Sequence, residues 1–68
     1  MIGDRIKQAR KAAGLSLRAL ADLAGVTAMA ISKYEAGKST PSSRVLLSLS
    51  RALAVRTEYF FRRVKVEL

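Results

Sequence analysis

Apolar residues in the first half of the chain recur at helical spacing. Ile2, Ile6, Ala9 and Ala13 follow steps of four, three and four, one face of a helix, while Arg5, Lys7, Arg10 and Lys11 fall mostly elsewhere on the cylinder. Gly14 ends this helix. Leu17, Leu20, Ala21 and Ala24 repeat the pattern at i, i+3, i+4 and i+7, with Ser16 as the N-cap and Gly25 as the stop. The connection is only Gly25-Val26-Thr27; Thr27 then caps a third helix from Ala28 to Ala36, ending at Gly37. Thr40-Pro41 predicts a fourth helix beginning near Pro41, because proline at the first helical position has no amide to lose and disfavours helical geometry in the residue before it. Leu46, Leu49 and Leu53, with Val45 and Ala52 beside them, form its stripe, and Thr57 caps a last turn carrying Tyr59, Phe60 and Phe61. The expectation is a compact all-α domain of five helices over residues 1–61. Strand-like alternation is confined to Arg63–Leu68, too short and too terminal for a sheet, so residues 62–68 read as a tail or the start of a linker or second domain.

Composition narrows the chemistry. The chain has 68 residues, enough for one small core, which close helix packing, a partner subunit or a covalent staple must support. Cysteine is absent, which removes the disulfide; histidine is absent too, which removes soft zinc sites and the usual proton shuttle near neutral pH. No metal or cofactor is expected, no nucleophile has an evident partner, and an enzyme is the weakest class. Thirteen Lys and Arg against five Asp and Glu give a net charge of +8, which favours an anionic partner. A membrane surface fits poorly, since tryptophan is absent and both Phe residues sit together at 60 and 61. No run approaches the roughly 18 apolar residues of a span, so a cytoplasmic location is expected. With half its residues hydrophobic, the chain displays its charge on a folded body.

Two short helices joined by a three-residue turn make a helix-turn-helix when they cross steeply, and close crossing needs small side chains. Ala21 and Gly25 are the residues expected there, with Ile31 plugging the groove, Leu20 behind it and Val26 anchoring the turn. At this point the stretch G-L-S-L-R-A-L-A-D-L-A-G-V-T-A-M-A-I-S-K-Y-E-A-G-K-S-T-P, Gly14 to Pro41, resembles the helix-turn-helix domains of phage repressor and Cro type, the XRE family. Ile31-Ser32, Tyr34-Glu35, Gly37 and Pro41 carry the likeness especially well. The resemblance implies a lambda-repressor-like domain whose third helix enters the major groove of double-stranded DNA as part of a transcriptional regulator. It also implies a homodimer on half-sites about 34 Å apart. Arg10 and Glu35 are implied to pair, joining the first helix to the third.

On that reading Ala28, Met29, Ser32 and Lys33 face the bases. Ala28, Met29 and Ala30 have no hydrogen-bonding side chain and can only pack on apolar groups, chiefly thymine methyls, which leaves Ser32 and Lys33 as the polar readers. Ser16, Leu17, Arg18, Thr27, Lys38, Ser39 and Ser43 are the expected phosphate contacts. Many relatives carry glutamine where this chain has Leu17; the backbone amides after Ser16 and the neighbouring Arg18 are the expected substitutes. Hydroxyls at Thr40 and Ser42 also serve capping, Thr40 foremost.

The apolar first turn of the third helix supports a second reading, a protein-interaction module of antitoxin-like or inhibitory kind. No small-molecule ligand is indicated. The tail from Tyr59 to Leu68 resembles the junction of some longer regulators in which such a head precedes a metallopeptidase-like domain; the alternatives for Phe60 and Phe61 are core completion or a homodimer contact.

Overall fold

The computed structural model describes residues 2–61, which form five α-helices and no strand. These are α1 (Ile2–Ala12), α2 (Leu17–Ala24), α3 (Ala28–Ala36), α4 (Ser43–Leu53) and α5 (Thr57–Phe61). The expectations for residues 62–68 lie outside the described residues.

Local chemistry accounts for most helix ends. Ser16 Oγ accepts the Ala19 amide at 3.0 Å and Thr27 Oγ1 accepts the Ala30 amide at 3.0 Å, each satisfying a donor that the helix itself leaves unpaired. Gly14, Gly25 and Gly37 have φ of 72°, 73° and 77°, the left-handed conformation that closes a helix at little cost only for glycine. Behind Gly25 the Val26 amide reaches back to the Ala21 carbonyl at 3.0 Å, and behind Gly37 the Lys38 amide reaches Lys33 at 3.0 Å.

Two starts differ from the sequence expectation. α4 begins at Ser43 with Ser42 as its cap, Ser42 Oγ accepting the Val45 amide at 3.3 Å. Thr40 is therefore not the cap, and Pro41 precedes the helix as a buried residue instead of occupying its first position. The burial of its ring explains the shift: the proline anchors the incoming loop on the body, and the next hydroxyl starts the helix. Thr57 likewise is the first residue of α5 and not its cap, the first turn closing from the Tyr59 amide to the Arg56 carbonyl at 2.9 Å.

The core consists of Ile6, Ala9, Leu20, Ala21, Ala24, Ile31, Leu46, Leu49, Leu53 and Phe60. Ile6, Leu20, Ile31, Leu49 and Phe60 are essentially sealed from solvent, each such side chain contributing roughly 1.5–3 kcal/mol by burial. α2 packs on α3 and α4, while α1 lies across α3 and α5, so the first helix ties the third to the last. The buried face of α1 is Gly3, Ile6 and Ala9; Ala13, expected on that face, lies beyond the helix end and is exposed. Phe60 completes the core, whereas Phe61 points outward with 62% of its surface exposed.

Candidate nucleic-acid interface

α2 and α3 form a helix-turn-helix around Gly25. The small residues at the crossing are Ala21 and Ala24, 2% and 8% exposed, with Ile31 of α3 fully buried against them. Gly25 was expected both to stop α2 and to permit the close crossing, and it does only the first. A Cβ there would meet nothing within 4 Å, so the position needs glycine for its φ of +73° and not for close helix approach.

The C-terminal half of α3 is held from the other side by α1. Arg10 Nε donates to Glu35 Oε2 at 2.7 Å and Arg10 Nη2 donates to Glu35 Oε1 at 3.1 Å, a two-pronged ion pair with side chains only 12% and 8% exposed. The third prong, Nη1, donates to the Leu15 carbonyl at 2.9 Å, binding the turn between α1 and α2 into the same knot. The hydrogen bond to Glu35 raises the Arg10 pKa above the ordinary arginine range, opposed by burial and assisted by the charge of Glu35.

With Ile31 buried and Tyr34 and Glu35 half-buried, α3 presents Met29, Ser32, Lys33 and Ala36 to solvent. Met29 is 68% exposed, a large value for an apolar side chain. Ala28, expected beside it, is half-buried and packs against the core, so only part of it is offered outward. Ser16, Arg18 and Thr27 are exposed where α2 and α3 begin, and Lys38 and Ser39 are exposed in the loop after α3. Ser43 is exposed in the first turn of α4. Leu17 turns half inward against the core, which leaves its amide and not its side chain for any outside contact. The hydroxyl oxygens of Ser16 and Thr27 are engaged as caps, but each retains an O–H to donate. Sequence reasoning missed Gly3, a glycine on the core face of α1 two turns before Arg10; glycine at a core-facing helix position is the available signal of close approach.

Residues 6–60 match the helix-turn-helix family. The chain belongs to that family. Among relatives of this helix-turn-helix domain is an SPbeta prophage-derived HTH-type transcriptional regulator of Bacillus subtilis, YonR, 37% identical over 62 residues, 91% of this chain and 57% of the relative. The domain superposes with a TM-score of 0.87 on SinR, a master regulator for biofilm formation solved in complex with DNA, at 41% identity and covering 91% of this chain and all (100%) of the other. It superposes with a TM-score of 0.85 on the P22 c2 repressor of a Salmonella phage, solved with a synthetic operator, at 35% identity, covering 88% of this chain and 91% of the other. The chain spans about half the length of curated relatives it matches, 57%, 56% and 42% in three of them. Among the described residues no helix is long and apolar enough to cross a membrane, and no group of three His, Cys, Asp or Glu is placed to hold a metal.

Proposed function

We propose that this domain binds double-stranded DNA sequence-specifically as the reading head of a transcriptional regulator, with α3 in the major groove. The observation that carries this reading is the division of labour on α3. Ile31, Tyr34 and Glu35 hold the helix to the body, while Met29, Ser32 and Lys33 project from it with no structural duty among the described residues. On this reading Met29 and the exposed part of Ala28 pack on thymine methyls, and Ser32 and Lys33 supply the polar base contacts. The amides opening α2 at Leu17 and α3 at Ala28, the hydroxyls of Ser16, Thr27, Ser39 and Ser43, and the cations Arg18 and Lys38 hold the phosphate backbone. The relatives solved on DNA and the +8 charge support the same reading. A cytoplasmic, non-enzymatic regulator follows from it.

A short reading helix with an apolar first turn takes little sequence information from one half-site, so the functional unit is a homodimer. Leu47 and Phe61, 52% and 62% exposed, line one groove between α4 and α5 with Ser43, Leu46 and Thr57, and a second copy of this chain is its proposed occupant. Sedimentation on duplex DNA with the double substitution Leu47→Glu and Phe61→Ser tests this. The wild type bound as two copies and the variant as one is the expected result, and the same stoichiometry for both overturns it.

The DNA reading is tested by selecting duplexes from a random pool with the wild type, Lys33→Ala and Lys38→Ala. The first substitution is expected to change base preference; the second is expected to weaken all sites alike and reduce the salt slope by about one. Affinity of the wild type for duplex should fall by roughly 0.9 log units per log salt for each phosphate neutralised. Absence of duplex binding at low salt overturns the reading and favours the protein-interaction module, for which exposed Met29 is the supporting observation.

A further inference from the structure

Gly3 lies in the first turn of α1 and is buried, although glycine is among the poorest helix formers. Its surroundings explain the choice. A Cβ built on Gly3 would collide with the Tyr34 carbonyl oxygen and would stand 2.9 Å from the Glu35 oxygen and 3.2 Å from the Glu35 carbonyl carbon. All three atoms are backbone of the last turn of α3, so no side-chain rotation relieves the contact; the two helices must part. The hydrogen that glycine carries in place of Cβ is directed at the Tyr34 oxygen, a close Cα–H to carbonyl approach of the kind seen where helices pack at minimal separation. Gly14, Gly25 and Gly37 differ in kind: each has a positive φ, and a Cβ on any of them would meet nothing within 4 Å.

We infer that Gly3 is a positioning residue for DNA reading, setting how deeply and at what tilt the C-terminal half of α3 is presented to the groove. This rests on the proposal that α3 is the reading element. The geometry makes α1 a two-point clamp. Seven residues after Gly3 on the same face, Arg10 grips the Glu35 carboxylate; Gly3 bears on the backbone of Tyr34 and Glu35 itself. The ion pair pulls α3 towards α1, and the absent side chain at Gly3 sets where that pull stops. Lys33 immediately precedes the clamped residues, so a shift of the Tyr34 and Glu35 backbone carries the Lys33 side chain with it. Base contacts depend on such placement, whereas phosphate contacts by long, mobile cations tolerate it.

The test compares wild type, Gly3→Ala and the core control Leu53→Val, on two duplexes of equal length: the motif enriched by the wild type and a scrambled version of it. Gly3→Ala is expected to lower the ratio of specific to scrambled affinity about tenfold, the scale of one good base contact, with the salt slope on scrambled duplex unchanged. Leu53→Val, which packs far along α4, is expected to lower the melting temperature and leave the ratio as it was. In the free domain, the Gly3→Ala amide resonances of Ile31 to Gly37 should shift while those of Ser43 to Leu53 stay. A folded Gly3→Ala with an unchanged ratio overturns the inference, as does an α3 whose amides do not move. A Gly3→Ala chain that fails to fold also overturns it, because Gly3 would then be required by the fold and not by reading. Failure of the wild type to enrich any motif counts against the reading of α3 as base-contacting, and the free-domain resonances then decide the clamp.

Discussion

At the scale of single residues, Ala54 is the one described non-glycine residue held at positive φ, 57°, where α4 stops. An alanine in the left-handed region costs about 1–2 kcal/mol, and part of what glycine recovers is lost to the greater freedom of its unfolded chain. Ala54→Gly is therefore expected to stabilise the domain by about 0.5–1 kcal/mol. A thermal midpoint raised by roughly 2–8 °C in a calorimetric scan is the matching observation for a domain of this size. Arg10→Gln acts in the opposite direction, leaving the Glu35 carboxylate without its cation, at a cost of about 1–3 kcal/mol. The pH dependence follows from the raised Arg10 pKa. A group whose pKa rises on folding contributes fully below its unfolded value and loses that contribution only as pH climbs through the folded one. Both lie far above neutrality, so the gap in melting temperature between wild type and Arg10→Gln should be the same at pH 7 and pH 9. A gap that closes over that interval contradicts the assignment.

At the scale of elements, the hydroxyl-capped starts of α2 and α3 and their glycine stops were legible because they depend on a few adjacent residues. The start of α4 was not. Thr40, Ser42 and Ser43 all offer a hydroxyl within four positions, and local rules rank Thr40-Pro41 well; burial of Pro41 against the body, a tertiary event, moves the cap to Ser42. Ser42→Ala should accordingly cost about 1 kcal/mol and Thr40→Ala almost nothing, as read by urea denaturation midpoints. Equal effects, or the reverse order, would restore the sequence expectation. The crossing of α2 and α3 was half legible: Ala21 and the stop at Gly25 were recognised, but the contact also assigned to Gly25 is not made, its backbone conformation being what the turn requires. Gly3 was illegible for a simpler reason. Its neighbours are more than thirty positions away, across two turns and another helix, and no periodicity in the first helix announces what will lie against it. For the candidate interface, the sequence placed Met29, Ser32 and Lys33 on the open face of α3, while the half-burial of Ala28 and Leu17 depended on packing between helices.

At the scale of the molecule, the described residues are held by ten buried hydrophobic side chains and by the Arg10–Glu35 ion pair, in a chain that has no cysteine to form a disulfide. Such a small core has little redundancy. Phe60 is 1% exposed and closes it from α5, so Phe60→Ala should cost about 3–5 kcal/mol, a large share of the roughly 5–15 kcal/mol available to a typical domain. Phe61→Ala, one residue on and mostly exposed, should change stability by no more than about 0.5 kcal/mol in the same denaturation experiment.

The packing of α1 against both α3 and α5 has a consequence in time as well as in space. Synthesis runs from the N-terminus, so α2 and α3 can meet on the ribosome as soon as α3 has emerged, a local event. The last side chain of the core, Phe60, leaves the exit tunnel only after every other described helix has done so. Until then α1 and α4 lack a wall, and the emerged part of the chain carries most of its thirteen cations on an incompletely closed body beside an RNA-rich surface. Completion of the core therefore waits on the few residues of α5.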